Sequence, residues 1–438
     1  MRKVFKGSWF PIAAVVLMVS CASNPYIKID NAVHRENFDA GIHILESDKK
    51  NIYKSDLILY YLDKGMLTHY ARDFEESSRL LEEGERAIEA AFTKSITEGI
   101  ASYLVNDTVR AYDGEDYEDI YINAFNALNY YHRQDPEGAL VEIRRMNIKL
   151  QALAAKYGVL TTNLRQKALE EIGSGFPGED KAGDSTFSNS ALARYLGLLF
   201  YRGAGKPDDA RIDLEELRLA FARFPQVYTY PLPASLEEEM TIPPGMARLN
   251  VLGFSGLSPI KEQSTLRLPL LDGKYIKIAL PVMVYRPSDV GRIEVVFDSQ
   301  EGFTLELLED LEAVARETFK EHLKVIYLKS IIRAAAKGIT AVVFDEIGRK
   351  EEGLTGAVFG LLGLGTQIFT EISESADLRL SRYFPAKAYV GGVTLKAGNY
   401  SFSVNYYNRE GKKIAAFRYD DMPVQPNKLN LVEVICLQ

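Results

Sequence analysis

From about residue 31 to residue 228 apolar positions recur every three or four residues, the spacing of helices that bury one face. Phe74, Ser77, Leu81, Gly84 and Ile88 mark one such face. Ala139, Ile143, Met146, Leu150 and Leu153 mark a second, and Ala210, Leu214, Leu217, Phe221 and Phe224 a third. Each stripe follows a polar turn and another apolar helix, at 57–70, 117–131 and 191–201 respectively. The turns carry the matching chemistry. Gln134-Asp135-Pro136 supplies Asp as N-cap and Pro at the first helical position. In Gly203-Ala204-Gly205-Lys206-Pro207-Asp208 the glycines end one helix before Pro207 opens the next. The pattern predicts helical hairpins, with 173–190 as a flexible interruption.

The periodicity changes after Pro225, Pro231, Pro233, Pro243 and Pro244, which disfavour helix and strand interiors alike. Segments 249–254, 275–285 and 293–297 read as strands rich in Ile, Val and Tyr. A long helix is predicted over 304–348 on Leu308, Leu311, Ala315, Phe319 and Ile326. The segments 388–395, 400–407, 413–418 and 430–436 alternate and read as one small antiparallel sheet. The predicted fold class is α+β and multidomain: an all-α repeat domain, then a mixed α/β domain ending in a β-module. The expected divisions are a signal peptide at 1–20, a tether at 21–30 and the helical domain at 31–228. A Pro-rich linker at 229–245 then leads to an α/β domain at 246–438, its β-module starting near 386.

The amino terminus reads as an address. Arg2, Lys3 and Lys6 precede a short apolar stretch from Phe10 to Val19, which spans only ~15 Å as a helix, half a bilayer's hydrocarbon. That is an export signal rather than a span. Met18-Val19-Ser20-Cys21 resembles the lipobox of bacterial lipoproteins, although Met18 stands where Leu is usual. The resemblance implies cleavage before Cys21 and acylation of its sulfur and new amino group. Two or three acyl chains anchor stably where one is marginal. Ala22 in place of Asp implies, by the same resemblance, delivery to the outer membrane, facing the periplasm.

The helical hairpins resemble the tetratricopeptide repeat. Its small residue in the first helix is matched by Gly65, Ala127 and Leu198, or Gly197 with a one-residue shift. Its small residue opening the second helix is matched by Ser77, Ala139 and Ala210, which are not regularly spaced, so the repeats are degenerate or interrupted. A generic helical bundle is the alternative. With the lipobox, the proline bridge and Ala376-Asp377-Leu378-Arg379, the whole resembles a group of uncharacterised bacterial tetratricopeptide-like lipoproteins. No reaction is implied by that likeness.

Composition narrows the classes. The 438 residues are 47% hydrophobic and 26% charged, with a net charge of -8, which argues against a nucleic-acid partner. Two cysteines exclude a disulfide scaffold, and with Cys21 lipidated Cys436 reads as a packed strand residue. The five histidines are scattered singly, and no phosphate loop or hydrolase elbow occurs. No cofactor or metal is expected.

Partner-binding candidates are Tyr117, Glu118, Tyr130, Glu142, Arg144 and Arg145. Ile143 belongs to the apolar stripe, so Glu142 and Arg145 are expected to project into a groove, where an Arg fork would grip a partner carboxylate. Internal pairing with the acidic run 113–119 is the alternative, and that run itself reads as a solvated helix start. The tyrosines of such a groove would receive an extended peptide. Residues 353–370 carry no charge and place glycines at three- and four-residue spacing, which suits a buried packed helix or an oligomeric pore. The sequence thus points to a lipid-anchored scaffold that binds envelope proteins through its helical groove. A wall-glycan enzyme using Glu115, Glu118 or Asp377 is the competing expectation.

Overall fold

The computed structural model describes residues 25–54, 56–97, 111–172, 187–269, 275–336 and 375–438. Cys21 and the rest of the lipobox, most of the interruption at 173–190 and the glycine-rich run 353–370 lie outside the described residues.

The helices run α1 (Ile27–His34), α2 (Phe38–Ser47), α3 (Lys49–Tyr53), α4 (Leu57–Tyr70), α5 (Phe74–Thr97), α6 (Asp116–His132), α7 (Pro136–Ile172), α8 (Ala191–Gly203) and α9 (Pro207–Arg223). Their turns share one construction. Glu36, Arg72, Gln134 and Gly205 each adopt positive φ, between 56° and 69°. In each turn the next residue donates its N–H back to the helix just ended: Asn37 to Ala32, Asp73 to Thr68, Asp135 to Tyr130 and Lys206 to Tyr201. Asn37, Asp73 and Asp135 then cap the following helix through their side chains. The structure therefore adds a fourth hairpin, α1/α2, whose first helix begins at Ile27, inside the segment read as a tether; Ile29 and Val33 bury its inner face. Gly65 is required where two helices meet, since a Cβ there would sit 2.8 Å from Leu81.

Ten strands follow: β1 (Met246–Ser255), β2 (Ile260–Pro269), β3 (Tyr275–Val284), β4 (Val290–Phe297), β5 (Gly302–Thr304), β6 (Glu306–Asp310), β7 (Lys387–Lys396), β8 (Gly398–Asn408), β9 (Lys413–Val424) and β10 (Asn430–Cys436). The sheets have the orders β10-β1-β7-β6 and β5-β4-β8-β9, and β2-β3 forms a separate ribbon. β10 lies parallel to β1, in register from Leu249–Asn430 to Ser255–Cys436. The last four strands thus do not form one antiparallel sheet, as expected, but are divided between two. β1 has both faces to cover. Leu252 and Phe254 face the helices, whereas Leu249 and Val251 face the second sheet. Helices, first sheet and second sheet form three layers with two cores between them. The first core joins Ile29, Leu62, Phe125 and Leu198 to Phe254, Leu308 and Phe384, so it crosses the proline bridge.

Three further expectations change. The helix predicted from 304 begins at Leu311, as α10 (Leu311–Ala336). Leu308 belongs to β6, where a bulge between Leu307 and Glu309 gives a strand helix-like apolar spacing. β2 was not read because Lys261-Glu262-Gln263-Ser264-Thr265 offers almost no apolar alternation. The proline bridge carries a 3-10 turn, Ala234–Glu238, with Leu236 fully buried. Glu239 next to it accepts from Arg248 Nε at 3.0 Å and Asn250 Nδ2 at 2.7 Å and is ion-paired with Arg202.

Candidate functional site

The first sheet covers the inward faces of α4, α6 and α8. Phe125 packs against Phe254 with ring centroids 5.2 Å apart, and Asn250 Nδ2 donates to Tyr195 Oη at 3.2 Å. Tyr131 Oη donates to Leu431 O and accepts from Leu431 N, both at 3.1 Å, along the free side of β10. The groove that the helices would offer a partner is filled by the chain's own sheet.

The expected binding residues follow from that. Tyr117 is fully buried, edge-on to Phe384. Glu118 is likewise at 0% exposure; it accepts from Tyr112 Oη at 2.6 Å, Glu115 N at 2.8 Å and Ser381 N at 2.5 Å. Glu142 is buried, accepting from Asn123 Nδ2 at 2.7 Å and Arg145 Nη1 at 3.0 Å, and Arg145 also pairs with Glu85 of α5. These three carboxyl and phenol groups cannot touch a partner: Tyr117 and Glu118 are covered by the segment that holds Ser381 and Phe384, and Glu142 lies on a second flank of α7 buried against α5 and α6. Internal pairing is realised, with Glu85 rather than the 113–119 run as Arg145's partner. Tyr130 is half-buried and donates to Glu82 at 3.1 Å. Arg144 alone of the pair points outward, its Nε 3.3 Å from Tyr201 Oη. The acidic run does open a helix, with Glu115 and Glu118 forming a capping box, but it is buried rather than solvated. Asp116 takes Lys156 and Asp119 takes Lys149, each at 2.6 Å.

What the structure brings together instead lies where α1, α4, α6, β2, α10 and the extended segment 376–383 converge. Glu115, at the start of α6, is ion-paired with Lys261 of β2 and lies 3.0 Å from His322 Nδ1 of α10. Burial alone would raise the Glu115 pKa, but the charges of His322 and Lys261 outweigh it and hold the carboxyl at about 2. Burial pulls the Lys261 and His322 pKa values down, and Glu115 more than reverses this, so both are raised. Lys261 Nζ also sits 5.2 Å from the centre of the Phe319 ring. Asp377 takes Arg379 in a fork, 2.8 Å from Nε and 2.7 Å from Nη2, while Arg379 Nη1 reaches Asp56 at 3.0 Å.

A cavity of about 30 Å³ separates these groups, lined by Glu115, Lys261, His322, Asp377 and Arg379 among others. It shares Ala111, Lys261, Asp377 and Arg379 with a wider cleft of about 790 Å³ walled by Pro25 and Tyr26 just before α1, by α3, α4 and the start of β2, and by 376–382. That extended wall is held by acids from the helices. Asp63 accepts from Ser381 Oγ and Arg382 N, each at 2.8 Å, and Asp30 pairs with Arg382 at 3.0 Å. Burial pushes Asp63 up to about 6 and Glu118 up to about 7.

A second buried cluster joins the layers. Glu433 of β10 lies 2.8 Å from His69 Nε2 and 2.6 Å from His132 Nε2. Two of the singly scattered histidines thus meet on one carboxylate. Among the described residues no group of His, Cys, Asp and Glu is placed to hold a metal ion, and no helix is long and apolar enough to cross a membrane.

Sequence reasoning missed Lys261 and His322, which lie 146 and 207 positions from Glu115. One signal was present: His322 falls on the stripe Leu311, Ala315, Phe319, Ile326, a polar residue at an inward position. No family model matches the chain, and no curated protein or solved structure is significantly similar to it.

Proposed function

We propose that this chain is a lipid-anchored, periplasm-facing recognition module of the bacterial cell envelope, which binds protein partners rather than transforming a substrate. In this reading the four hairpins are degenerate tetratricopeptide-like repeats serving as a frame, and the docking place is the cleft beside segment 376–382 instead of the helical groove. Membership of the lipoprotein group rests on Met18-Val19-Ser20-Cys21 and the export signal before it.

One observation carries the preference for binding. A glycosidase needs a carboxylic acid in its cleft that keeps its proton near neutrality. Here the cavity acid Glu115 is held at about 2 by two cations, Glu118, raised to about 7, is sealed from solvent, and the cleft's own acids Asp56 and Asp377 are both ion-paired with Arg379. The cleft offers tyrosines and aliphatic side chains, which hold a ligand without acid–base chemistry.

Affinity capture from crosslinked envelopes tests this reading. The wild-type protein and the Arg144→Ala variant are expected to retain one shared set of envelope proteins, which Asp377→Ala loses. Cleavage of wall fragments by the purified protein, with no protein enriched, would overturn the reading. Cys21→Ser is expected to abolish lipid labelling, and persistent labelling would remove the anchor.

A further inference from the structure

We propose that Lys261 and His322 form a receptor for one terminal carboxylate, the anchoring end of a ligand whose apolar body lies in the adjoining cleft. The inference rests on the recognition reading and names the chemistry of what is recognised.

The donors are in place and underused. An ammonium carries three N–H donors, and the Lys261 side chain is only 2% exposed, with Glu115 as its hydrogen-bond acceptor. Its remaining donors meet no acceptor among the described residues, yet Lys261 lines both the cavity and the cleft. His322 commits Nδ1 to Glu115, and its Nε2 meets no acceptor among the described residues. Glu115 supplies one negative charge against two positive ones once His322 is protonated, which its raised pKa favours. Asp377 and Arg379 neutralise one another alongside. The trio therefore carries one more positive than negative group, offset in part by Asp113 across the cavity, and the buried Lys261 ammonium keeps hydrogen-bond donors to spare.

Size and charge select the anion. A water-sized occupant needs roughly 10–15 Å³, so a cavity of about 30 Å³ has room for the two oxygens of a carboxylate. A dianion would also meet Glu115 and Asp377. Beyond the shared residues the cleft wall is apolar at Ile52, Leu59, Ile260 and Leu378, which suits a ligand with a greasy body behind a single acid. Two sources offer that chemistry, the C-terminus of an apolar peptide and a fatty acid.

Fluorescence anisotropy on the full mature chain separates them. The probes are dye-labelled hexapeptides of randomised apolar sequence with a free C-terminal acid or an amide, and labelled dodecanoate against dodecanol. At least one acid is expected to bind about tenfold or more tightly than its uncharged counterpart. Lys261→Met is expected to erase that preference. A Lys261→Met/Glu115→Gln double variant keeps the site's charge balance and is expected to do the same with an unchanged circular dichroism spectrum. Preference for the peptide acid or for dodecanoate assigns the source. Equal binding of acid and neutral probes, or a preference that survives both variants, would overturn the carboxylate receptor. Partners retained in the envelope capture would meanwhile keep the recognition reading standing.

Discussion

The Glu433→Gln variant tests how the helical layer and the first sheet are held together. Both nitrogens of His69 face acceptors: Nε2 lies 2.8 Å from Glu433, and Nδ1 lies 2.7 Å from Asn129 Oδ1. The Asn129 amide points its oxygen at His69 because its nitrogen donates to Ser77 Oγ at 2.9 Å. A ring with acceptors on both sides is an imidazolium, and Glu433 is its counter-ion, with side-chain exposures of 0% and 4%. Glutamine removes the charge and offers one oxygen to two N–H donors. Breaking a buried pair from one side costs about 3–5 kcal/mol, and the shape-matched amide recovers part of that, so a loss of about 2–3 kcal/mol is expected.

The pH dependence follows from the two shifts. Burial opposes the charge on each partner, but their mutual attraction wins, so Glu433 titrates below its ordinary 4.5 and His69 above its ordinary 6.5. The carboxylate's contribution is present above 4.5 and is lost as pH falls through its lowered value. The imidazolium's contribution is complete below 6.5 and is lost as pH rises through its raised value. Urea unfolding of wild type and variant across this range is expected to show the largest deficit between 4.5 and 6.5, shrinking in alkaline buffer. A deficit below about 1 kcal/mol, or one independent of pH, would refute the assignment of charges.

Two other substitutions probe the same logic. Arg145→Ala leaves buried Glu85 and Glu142 short of a cation and is expected to cost about 1–3 kcal/mol. Its outward neighbour Arg144→Ala is expected to stay within about 0.5 kcal/mol by the same urea titration. Glu309 accepts from Ser190 Oγ at 2.6 Å, Tyr228 Oη at 2.7 Å, Leu192 N at 3.2 Å and Tyr121 Oη, so Glu309→Leu strands four donors at once. A fall of about 3 kcal/mol or more is expected in calorimetry, and a smaller effect than that of Arg145→Ala would contradict the network.

The helices were legible where one chain segment carries the whole signal. Leu57–Tyr70 matches its predicted span, and the turn at Gln134-Asp135-Pro136 forms as its residues suggest. What local pattern does not record is which buried faces meet. The stripe through Ile143 is apolar as read, but its flank at Glu142 and Arg145 was assigned to a partner groove, with internal pairing as the alternative, because Glu85 of α5, which pairs with Arg145, lies 60 positions back in the chain. β7 to β10 were recognised as strands, yet their division between two sheets depends on β1 and β4, more than a hundred positions earlier. The cleft has the same character. Glu115 was noticed, whereas the lysine and histidine that set its charge come from a strand and a helix with separate local patterns.

The parallel strand β10 has a bearing on how the chain is assembled. His69 and His132 are separated from their carboxylate by 364 and 301 positions, and β10 closes the edge of the sheet that those helices rest upon. Stacked helical repeats ordinarily settle one after another as they emerge. Here the early hairpins hold imidazole and aromatic groups aimed at a surface not yet made, so consolidation waits for a segment that follows 301 to 364 positions later. Contacts of such separation slow folding and prolong the exposure of the apolar faces that the first sheet will cover.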